Sequence, residues 1–280
     1  MKQELVEKEM TVLLTVYKRP ETLRLQVEAI KNQTVVPHRI ILFQDRVKDG
    51  QPIRIPAEDL KSVDDYYIAE ENKGVWGRFA YARENCQTKY VCVLDDDTIP
   101  GPRWIETCIG YMEKKKAIYA TLGIRLTKRG GYPYKDYYRI GWCSENNKCE
   151  EVDFAGHGWF FDRECLDWMF EGTESIRALK TAGEDMGLSF SAQRYGVPTI
   201  ITPHPSSDRS IWGSMPDEAI YYGTSTEATG INGNYPNMNK AIKAYEDMGW
   251  SYCVDRKRFY VIAYIKLRDF LQKIRGVSKG

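Results

Sequence analysis

The sequence lacks several features that would place it in a simple class of protein. It has no run of about eighteen or more apolar residues and no charged leader before an apolar stretch, so we expect neither a membrane span nor a signal peptide. Its 40 basic residues nearly cancel its 39 acidic residues, which argues against nucleic acid as a partner. Its seven cysteines show no CxxC spacing, which argues against a zinc site and a disulfide framework. These absences favour a cytoplasmic globular protein with reduced thiols.

The first half of the sequence alternates strand-like and helix-like segments. Residues 11–17 form a continuous apolar, β-branched run, which is typical of a strand buried on both faces. Pro20 then opens a segment that places Leu23, Val27 and Ile30 at helical spacing. This alternation predicts βαβ units, and hence an α/β fold with a mostly parallel sheet. In such sheets ligands bind beyond the carboxyl ends of the strands.

Three consecutive carboxylates follow one predicted strand. Residues 90–94 are apolar, and Asp95, Asp96 and Asp97 come directly after them. Like charges this close in a partly dry cleft oppose one another unless something neutralises them. In extended geometry Asp95 and Asp97 point to the same side, where they can hold a hard divalent cation with substrate phosphates. The alternative is a solvated acidic turn or a cap of the next helix.

Five segments of the sequence carry a resemblance to a known family. Residues 91–100 resemble an Asp-x-Asp motif, residues 11–34 a first strand and helix, and residues 72–82 a segment that approaches a nucleotide. Residues 152–165 resemble a segment that lines a sugar and acceptor site, and residues 183–196 a helix that starts with two acids. Together they resemble glycosyltransferases with the GT-A fold, both of family two and of the exostosin type. The resemblance implies a Rossmann-like sheet with an acceptor-side extension and a C-terminal helix.

The resemblance implies one domain over residues 1–280. Its donor-binding half would cover about residues 10–130, its acceptor-binding half about 131–250, and its C-terminal helix about 254–276. The expected reaction moves a sugar from a UDP-sugar to a hydroxyl of a glycan acceptor, with Mn²⁺ or Mg²⁺ as cofactor. The sugar would be of the glucose, xylose, galactose or N-acetylglucosamine class. The sequence gives no signal for the oligomeric state.

The expected donor site consists of polar residues at or beyond strand ends and at the start of the following helix. The residues expected to bind the nucleotide-sugar are Thr15, Tyr17, Arg19, Asp45, Asn72, Arg78, Asp95 and Asp96. By resemblance, Asp97 would hold the metal with help from Asp95, and a late histidine, His204, would complete the metal shell. Arg78 would contact the diphosphate. The alternative for Arg19 and Arg78 is a surface cation.

The second half of the sequence carries the expected acceptor site. A Gly-His-Gly stretch flanked by aromatics allows close backbone approach and offers ring faces to a sugar. The residues expected to contact the acceptor or sugar are Gly156, His157, Trp159 and Glu184, although His157 and Trp159 can equally be structural. Inverting transfer needs a carboxylate that takes the proton from the attacking hydroxyl. Resemblance to family two favours Asp185 as this base, with Asp153 as the second candidate.

Several alternatives stay open from the sequence. Family two inverts and exostosin-type enzymes retain, so a retaining enzyme is the alternative to inversion. A nucleotidyltransferase is disfavoured because residues 15–22 contain no glycine for a phosphate loop, and a non-catalytic sugar-binding module would not need three poised carboxylates. Residues 206–240 show no periodicity and predict a long loop, either a lid or disordered. The tail predicts an amphipathic helix that packs on the domain or contacts a membrane peripherally.

Overall fold

The computed structural model describes residues 10–47, 53–129, 137–215 and 235–256, with the isolated positions 217, 267 and 270. The strands are β1 (Met10–Val16), β2 (Arg39–Gln44), β3 (Asp65–Ile68), β4 (Tyr90–Leu94), β5 (Ile118–Leu126), β6 (Tyr137–Gly141), β7 (Glu150–Val152), β8 (Phe154–Asp162) and β9 (Thr199–Ile201). The helices are α1 (Thr22–Lys31), α2 (Ala57–Leu60), α3 (Gly77–Asn85), α4 (Trp104–Met112), α5 (Glu164–Met169), α6 (Glu174–Arg177), α7 (Glu184–Arg194), α8 (Tyr235–Asp247) and α9 (Cys253–Arg256). A short 3₁₀ helix covers Arg209–Ile211.

The described strands form one sheet in the order β3-β2-β1-β4-β8-β5-β9-β7, and β6 pairs with β5. The first four strands in this order run parallel to one another, which confirms the predicted α/β fold. Strand β8 runs antiparallel to both β4 and β5 and joins this parallel half to the second half of the sheet. In that second half β9 is parallel to β5, whereas β6 and β7 pair antiparallel with their neighbours.

The sheet is covered on both faces, which explains the unbroken apolar run of β1. Val12 and Leu14 pack on the face that carries α1 and α4, and Leu13 packs on the face that carries α3, α5 and α7. Every residue of β1 and of β4 is buried. Each fully buried Val or Leu side chain contributes about 1.5–3 kcal/mol. The parallel half is therefore a rigid support for the loops that leave it.

Strand β1 has β2 on one side and β4 on the other, so the strand order reverses at β1. The connections that leave the carboxyl ends of β1 and β4 diverge there and leave a crevice between them. The antiparallel partner β8 begins beside the carboxyl end of β4, because Leu94 pairs with Gly158. Residues after β1, after β4 and at the start of β8 therefore meet at one edge of the sheet.

The long loop predicted for residues 206–240 is wrong in its last part. Helix α8 begins at Tyr235, with a proline in its first turn, and it buries Ala241, Ile242 and Tyr245 completely. Its first half is polar, so the packed face becomes evident only in the second half. The predicted tail helix lies mainly outside the described residues. Among the described helices, none is long and apolar enough to cross a bilayer.

Candidate active site

The three carboxylates lie in a tight turn. Strand β4 ends at Leu94, and the Thr98 N–H donates to the Asp95 carbonyl at 3.0 Å. The Asp95 N–H donates to the His157 carbonyl at 2.8 Å, which anchors the turn to β8. The prediction that Asp95 and Asp97 share one side of an extended segment is therefore wrong. The turn lets each carboxylate face a different neighbour.

Two cations neutralise the second and third carboxylates of this turn. Arg19, which follows β1, forms an ion pair with Asp96, and its Nη2 lies 3.6 Å from Asp97 Oδ2. His157 Nδ1 lies 2.9 Å from Asp97 Oδ1. The Tyr17 N–H approaches Asp96 Oδ2 at 3.4 Å. The repulsion that the sequence presents is thus offset by side chains of the same chain.

The pKa values of these groups are set by two opposing effects, burial and ion pairing. Burial alone would raise the pKa of Asp97, but His157 and Arg19 hold it at about 2, so this carboxylate is ionised. Burial lowers the pKa of His157 and Asp97 raises it, with a net rise. For Asp96 burial outweighs Arg19, and its pKa is raised. The Asp97–His157 contact therefore favours the protonated imidazole beside the ionised carboxylate.

His157 has a backbone conformation that is rare outside glycine, with φ of 65°. Its ring stacks on Trp142 at a centroid distance of 4.9 Å, and Trp142 itself has φ of 58°. Within the described part of the chain the buried Trp142 Nε1 has no hydrogen-bond partner. Strained residues of this kind cluster at functional sites, which makes Trp142 and His157 candidate site residues. Trp142 was not predicted, since a single tryptophan after a glycine carries no sequence signal.

A second ion cluster is centred on Arg78 of α3, whose side chain is only 14% exposed. Its Nε lies 3.4 Å from Asp95 Oδ1, and its Nη2 lies 3.2 Å from Glu184 Oε1 and 3.6 Å from Asp185 Oδ1. The guanidinium also lies over the Trp159 ring at 5.4 Å. Burial and Arg78 act oppositely on Asp95, and the pKa of Asp95 is raised to about 6. Arg78 thus contacts three carboxylates, and its predicted contact with a diphosphate stays a prediction.

Glu184 and Asp185 form the first turn of α7, as predicted. The residue before them, Gly183, has φ of 97°, and its carbonyl accepts a hydrogen bond from the Tyr245 hydroxyl at 2.9 Å. Burial and the neighbouring Glu184 raise the pKa of Asp185 well above its usual range, and Arg78 opposes this. A Cβ added to Gly156 would lie 3.7 Å from Asp185 Oδ2, so the predicted base and the predicted sugar contact are neighbours. Asp185 is therefore a carboxylate suited to accept a proton.

The remaining predicted donor residues shape the rim of the crevice. Thr15 donates its hydroxyl to the Leu94 carbonyl at 2.9 Å and so ties β1 to β4. Asp45 accepts hydrogen bonds from the Arg46, Lys73 and Gly74 backbones and from the Asn72 side chain. These four bonds use all the acceptor positions of a carboxylate. A nucleotide contact by Asp45 would have to replace one of them, and it stays a prediction.

Comparison with known proteins decides the family. The model of glycosyl transferase family 2 matches residues 11–169, from β1 to the end of α5. The chain belongs to glycosyl transferase family 2. The solved structure of S. aureus TarS superimposes with a TM-score of 0.50 at 13% sequence identity over 70% of this chain, which shows a likeness of fold. The chain spans about a third of TarS, since the match covers 35% of that protein. No curated protein sequence matches this chain.

Two predicted site residues of this family-2 chain belong to its structural core. Asp153 Oδ2 accepts a hydrogen bond from the Leu126 N–H at 2.7 Å, and Oδ1 accepts one from the Cys253 N–H at 2.5 Å. This carboxylate joins β5 to the C-terminal segment with both oxygens, which argues against the prediction of Asp153 as a second base. Trp159 is fully buried and donates its Nε1–H to the Ala155 carbonyl, which favours the structural alternative over the predicted contact with the acceptor.

The predicted metal shell is not assembled either. His204 is fully buried, its Nε2 accepts the Gly213 N–H at 2.8 Å, and burial lowers its pKa to about 4. Over the described ranges there is no group of three or more His, Cys, Asp or Glu side chains placed to hold a metal ion. Since Asp97 is engaged by Arg19 and His157, an ion bound there would have to replace these contacts, and the manganese site stays a prediction. The buried Nδ1 of His204 makes no hydrogen bond within the described residues, and its role as a metal ligand stays a prediction.

Proposed function

We propose that this family-2 chain transfers a sugar from a UDP-sugar to a hydroxyl group of a glycan acceptor, with inversion. The observation that carries the proposal is that a carboxylate with a raised pKa, Asp185, lies across the crevice from the acidic turn and is linked to it by one arginine. Glucose, xylose, galactose and N-acetylglucosamine are the candidate sugars. Inversion needs a single base. Since Asp153 is a structural cap, Asp185 is the one candidate base left among the predicted residues.

The proton transfer follows from the surroundings of Asp185. The acceptor hydroxyl would approach the carboxylate on the side of Gly156, where the absence of a side chain leaves room next to Oδ2. As the hydroxyl oxygen attacks the sugar carbon, its proton would pass to Asp185. The side chain of Asp185 is 33% exposed, so an acceptor can reach it. Burial of the remaining part of this side chain favours its protonated form, which is the form that results from the proton transfer.

The leaving nucleoside diphosphate needs positive charge at the other side of the sugar. Arg19 and His157 are the cations that reach the acidic turn, and both retain some exposure toward the crevice. We place the diphosphate next to these two side chains. The nucleoside would lie toward β1 and β2, where Tyr17, Asp45 and Asn72 form the rim.

Dependence on Mn²⁺ or Mg²⁺ is a separate part of the proposal, based on the chemistry of Asp95 and Asp97. Oxygen ligands suit these ions, and a bound ion would stabilise negative charge on the diphosphate. Because Asp97 is engaged by Arg19 and His157, an ion would have to replace these contacts. Calorimetric titration of the protein with manganese, alone and with UDP present, measures whether it does.

The proposal is tested with a panel of UDP-glucose, UDP-galactose, UDP-xylose and UDP-N-acetylglucosamine, with manganese present and release of UDP as the signal. We expect slow hydrolysis of at least one of them by the wild type. Asp185→Asn should lower this rate by about 10²–10⁴-fold and leave UDP binding unchanged. Asp167→Asn, at an exposed pair on α5, is the matched control and should keep the wild-type rate. Hydrolysis of none of the four, together with no binding of UDP, would refute the function.

A further inference from the structure

Arg78 contacts carboxylates from both sides of the crevice. One guanidinium reaches Asp95 of the acidic turn through Nε, and reaches Glu184 and Asp185 of α7 through Nη2. We propose that Arg78 is a positioning residue that orients Asp185 and stabilises its charge, and so couples the donor side of the site to the base. This inference rests on the proposed role of Asp185. Arg78 itself would touch neither the donor nor the acceptor.

The charges around Asp185 support this role. The groups that face it are Glu184 on its own helix, Arg78 on α3, Asp95 after β4 and the Tyr245 hydroxyl on α8. Among these groups, within the described residues, Arg78 is the sole cation. Burial, Glu184 and Asp95 all raise the pKa of Asp185, and Arg78 alone lowers it. Without Arg78 the carboxylate would hold its proton to a higher pH and would be unable to act as a base at neutral pH.

Hydrogen bonding in this cluster is incomplete. Arg78 Nε and Asp185 Oδ1 are both buried, and within the described part of the chain neither makes a hydrogen bond. Buried polar atoms without a partner are rare and require an explanation. A small movement of the guanidinium toward α7 would bring Nη2, now 3.6 Å from Asp185 Oδ1, into hydrogen-bonding distance. The same movement would lengthen the contact with Asp95, so a change at Asp95 reaches the base through this side chain.

The surroundings also select arginine over lysine. The guanidinium lies over the rings of Phe79 and Trp159, at 5.1 and 5.4 Å, and this stacking fixes its plane. A planar fork can contact carboxylates from two elements at once, whereas an ammonium is a single point charge. We therefore expect Arg78→Lys to keep part of the charge effect and to lose the orientation.

The test compares Arg78→Gln and Arg78→Lys with wild type by the pH profile of UDP-sugar hydrolysis, using whichever UDP-sugar of the panel is turned over. Loss of a cation at this range raises the pKa of a carboxylate by about 1–3 units. We expect the acid limb of kcat for Arg78→Gln to move up by that amount, with KM for the UDP-sugar unchanged. The hydrolysis rate of Arg78→Gln should recover as the pH rises. The acid limb of Arg78→Lys should lie between those of the wild type and Arg78→Gln. Arg83→Gln, on the same helix at an exposed pair with Asp167, should match the wild type.

A raised KM with an unmoved acid limb would overturn the inference and would make Arg78 a donor contact. If Arg78→Gln does not fold, Arg78→Lys is measured in the wild type and in Asp185→Asn. If Arg78 acts through Asp185, Arg78→Lys should lower the rate of the wild type and should leave the residual rate of Asp185→Asn unchanged. Equal losses in both backgrounds would overturn it. If the wild type hydrolyses no UDP-sugar, the proposed function itself is refuted. If the wild type is active and depends on Asp185, but Arg78→Gln leaves the acid limb of kcat unmoved, this inference alone is refuted.

Discussion

Replacement of Arg19 by glutamine tests whether the chain's own cations neutralise the acidic turn. The side chains of Arg19, Asp96 and Asp97 are 16%, 9% and 7% exposed, so their ion pairs are nearly buried. Loss of one partner of a buried ion pair leaves an uncompensated charge and costs about 3–5 kcal/mol. Asp97 keeps its contact with His157 in this variant. We therefore expect a loss at the lower end of that range, about 3 kcal/mol in the free energy of unfolding at pH 7.

The loss should shrink as the pH falls. In the wild type the pKa of Asp97 is about 2, below its ordinary value of 3.8, so its stabilising contribution is present above pH 3.8 and disappears as the pH falls through 2. Without Arg19, the pKa values of Asp96 and Asp97 in the folded state rise. The folded variant then binds more protons than the folded wild type near pH 4, which relieves the repulsion. The difference in unfolding free energy between the two proteins is therefore smaller at pH 4 than at pH 7.

Urea unfolding, followed by tryptophan fluorescence at pH 7 and pH 4, measures both quantities. Arg24→Gln is the matched control, since Arg24 pairs with Asp59 at 2.9 Å but its side chain is 58% exposed. It should unfold like the wild type. A variant at Arg19 that is as stable as the wild type at pH 7, or whose loss is the same at both pH values, would refute the reasoning. Neutralisation by a bound cation would then be the better account, and a chelator should destabilise the wild type.

Three further substitutions separate structural from functional roles. Asp153→Ala should lower the free energy of unfolding by about 2–4 kcal/mol, because two buried backbone N–H groups lose their acceptor; an unchanged urea midpoint would contradict this. Gly156→Ala should fold normally, since its Cβ would meet other atoms at no less than 3.6 Å, but should slow UDP-sugar hydrolysis by about ten- to hundredfold by crowding Asp185; wild-type turnover would show that the acceptor approaches elsewhere. His204→Gln should leave any manganese affinity unchanged in calorimetry, because its Nε2 accepts the Gly213 N–H and the ring is fully buried; weakened binding would identify His204 as a ligand through Nδ1, which makes no hydrogen bond within the described residues.

Local patterns were sufficient for the parallel half of the fold. Strands β1 and β4 consist almost entirely of apolar and β-branched residues because both of their faces are buried, and α1 shows the helical spacing of residues that pack on one face. The start of α7 at Glu184 follows from the resemblance of residues 183–196 to a helix that begins with two acids. Each of these signals lies within a short stretch of sequence. The acidic turn and the acidic helix start could therefore be located from the sequence.

Their partners could not be located in the same way. Arg19 precedes Asp96 by 77 residues, and Arg78 precedes Glu184 by 106 residues, so no spacing rule connects them. The prediction of a metal site came from counting charge along the chain, where residues 90–100 hold three acids and no cation. In the folded structure the same turn also contacts two arginines and a histidine with a raised pKa. The turn is balanced by contacts that exist only in the folded chain, so a diphosphate that binds here must either recruit a further cation or draw Arg19 and His157 away from the carboxylates.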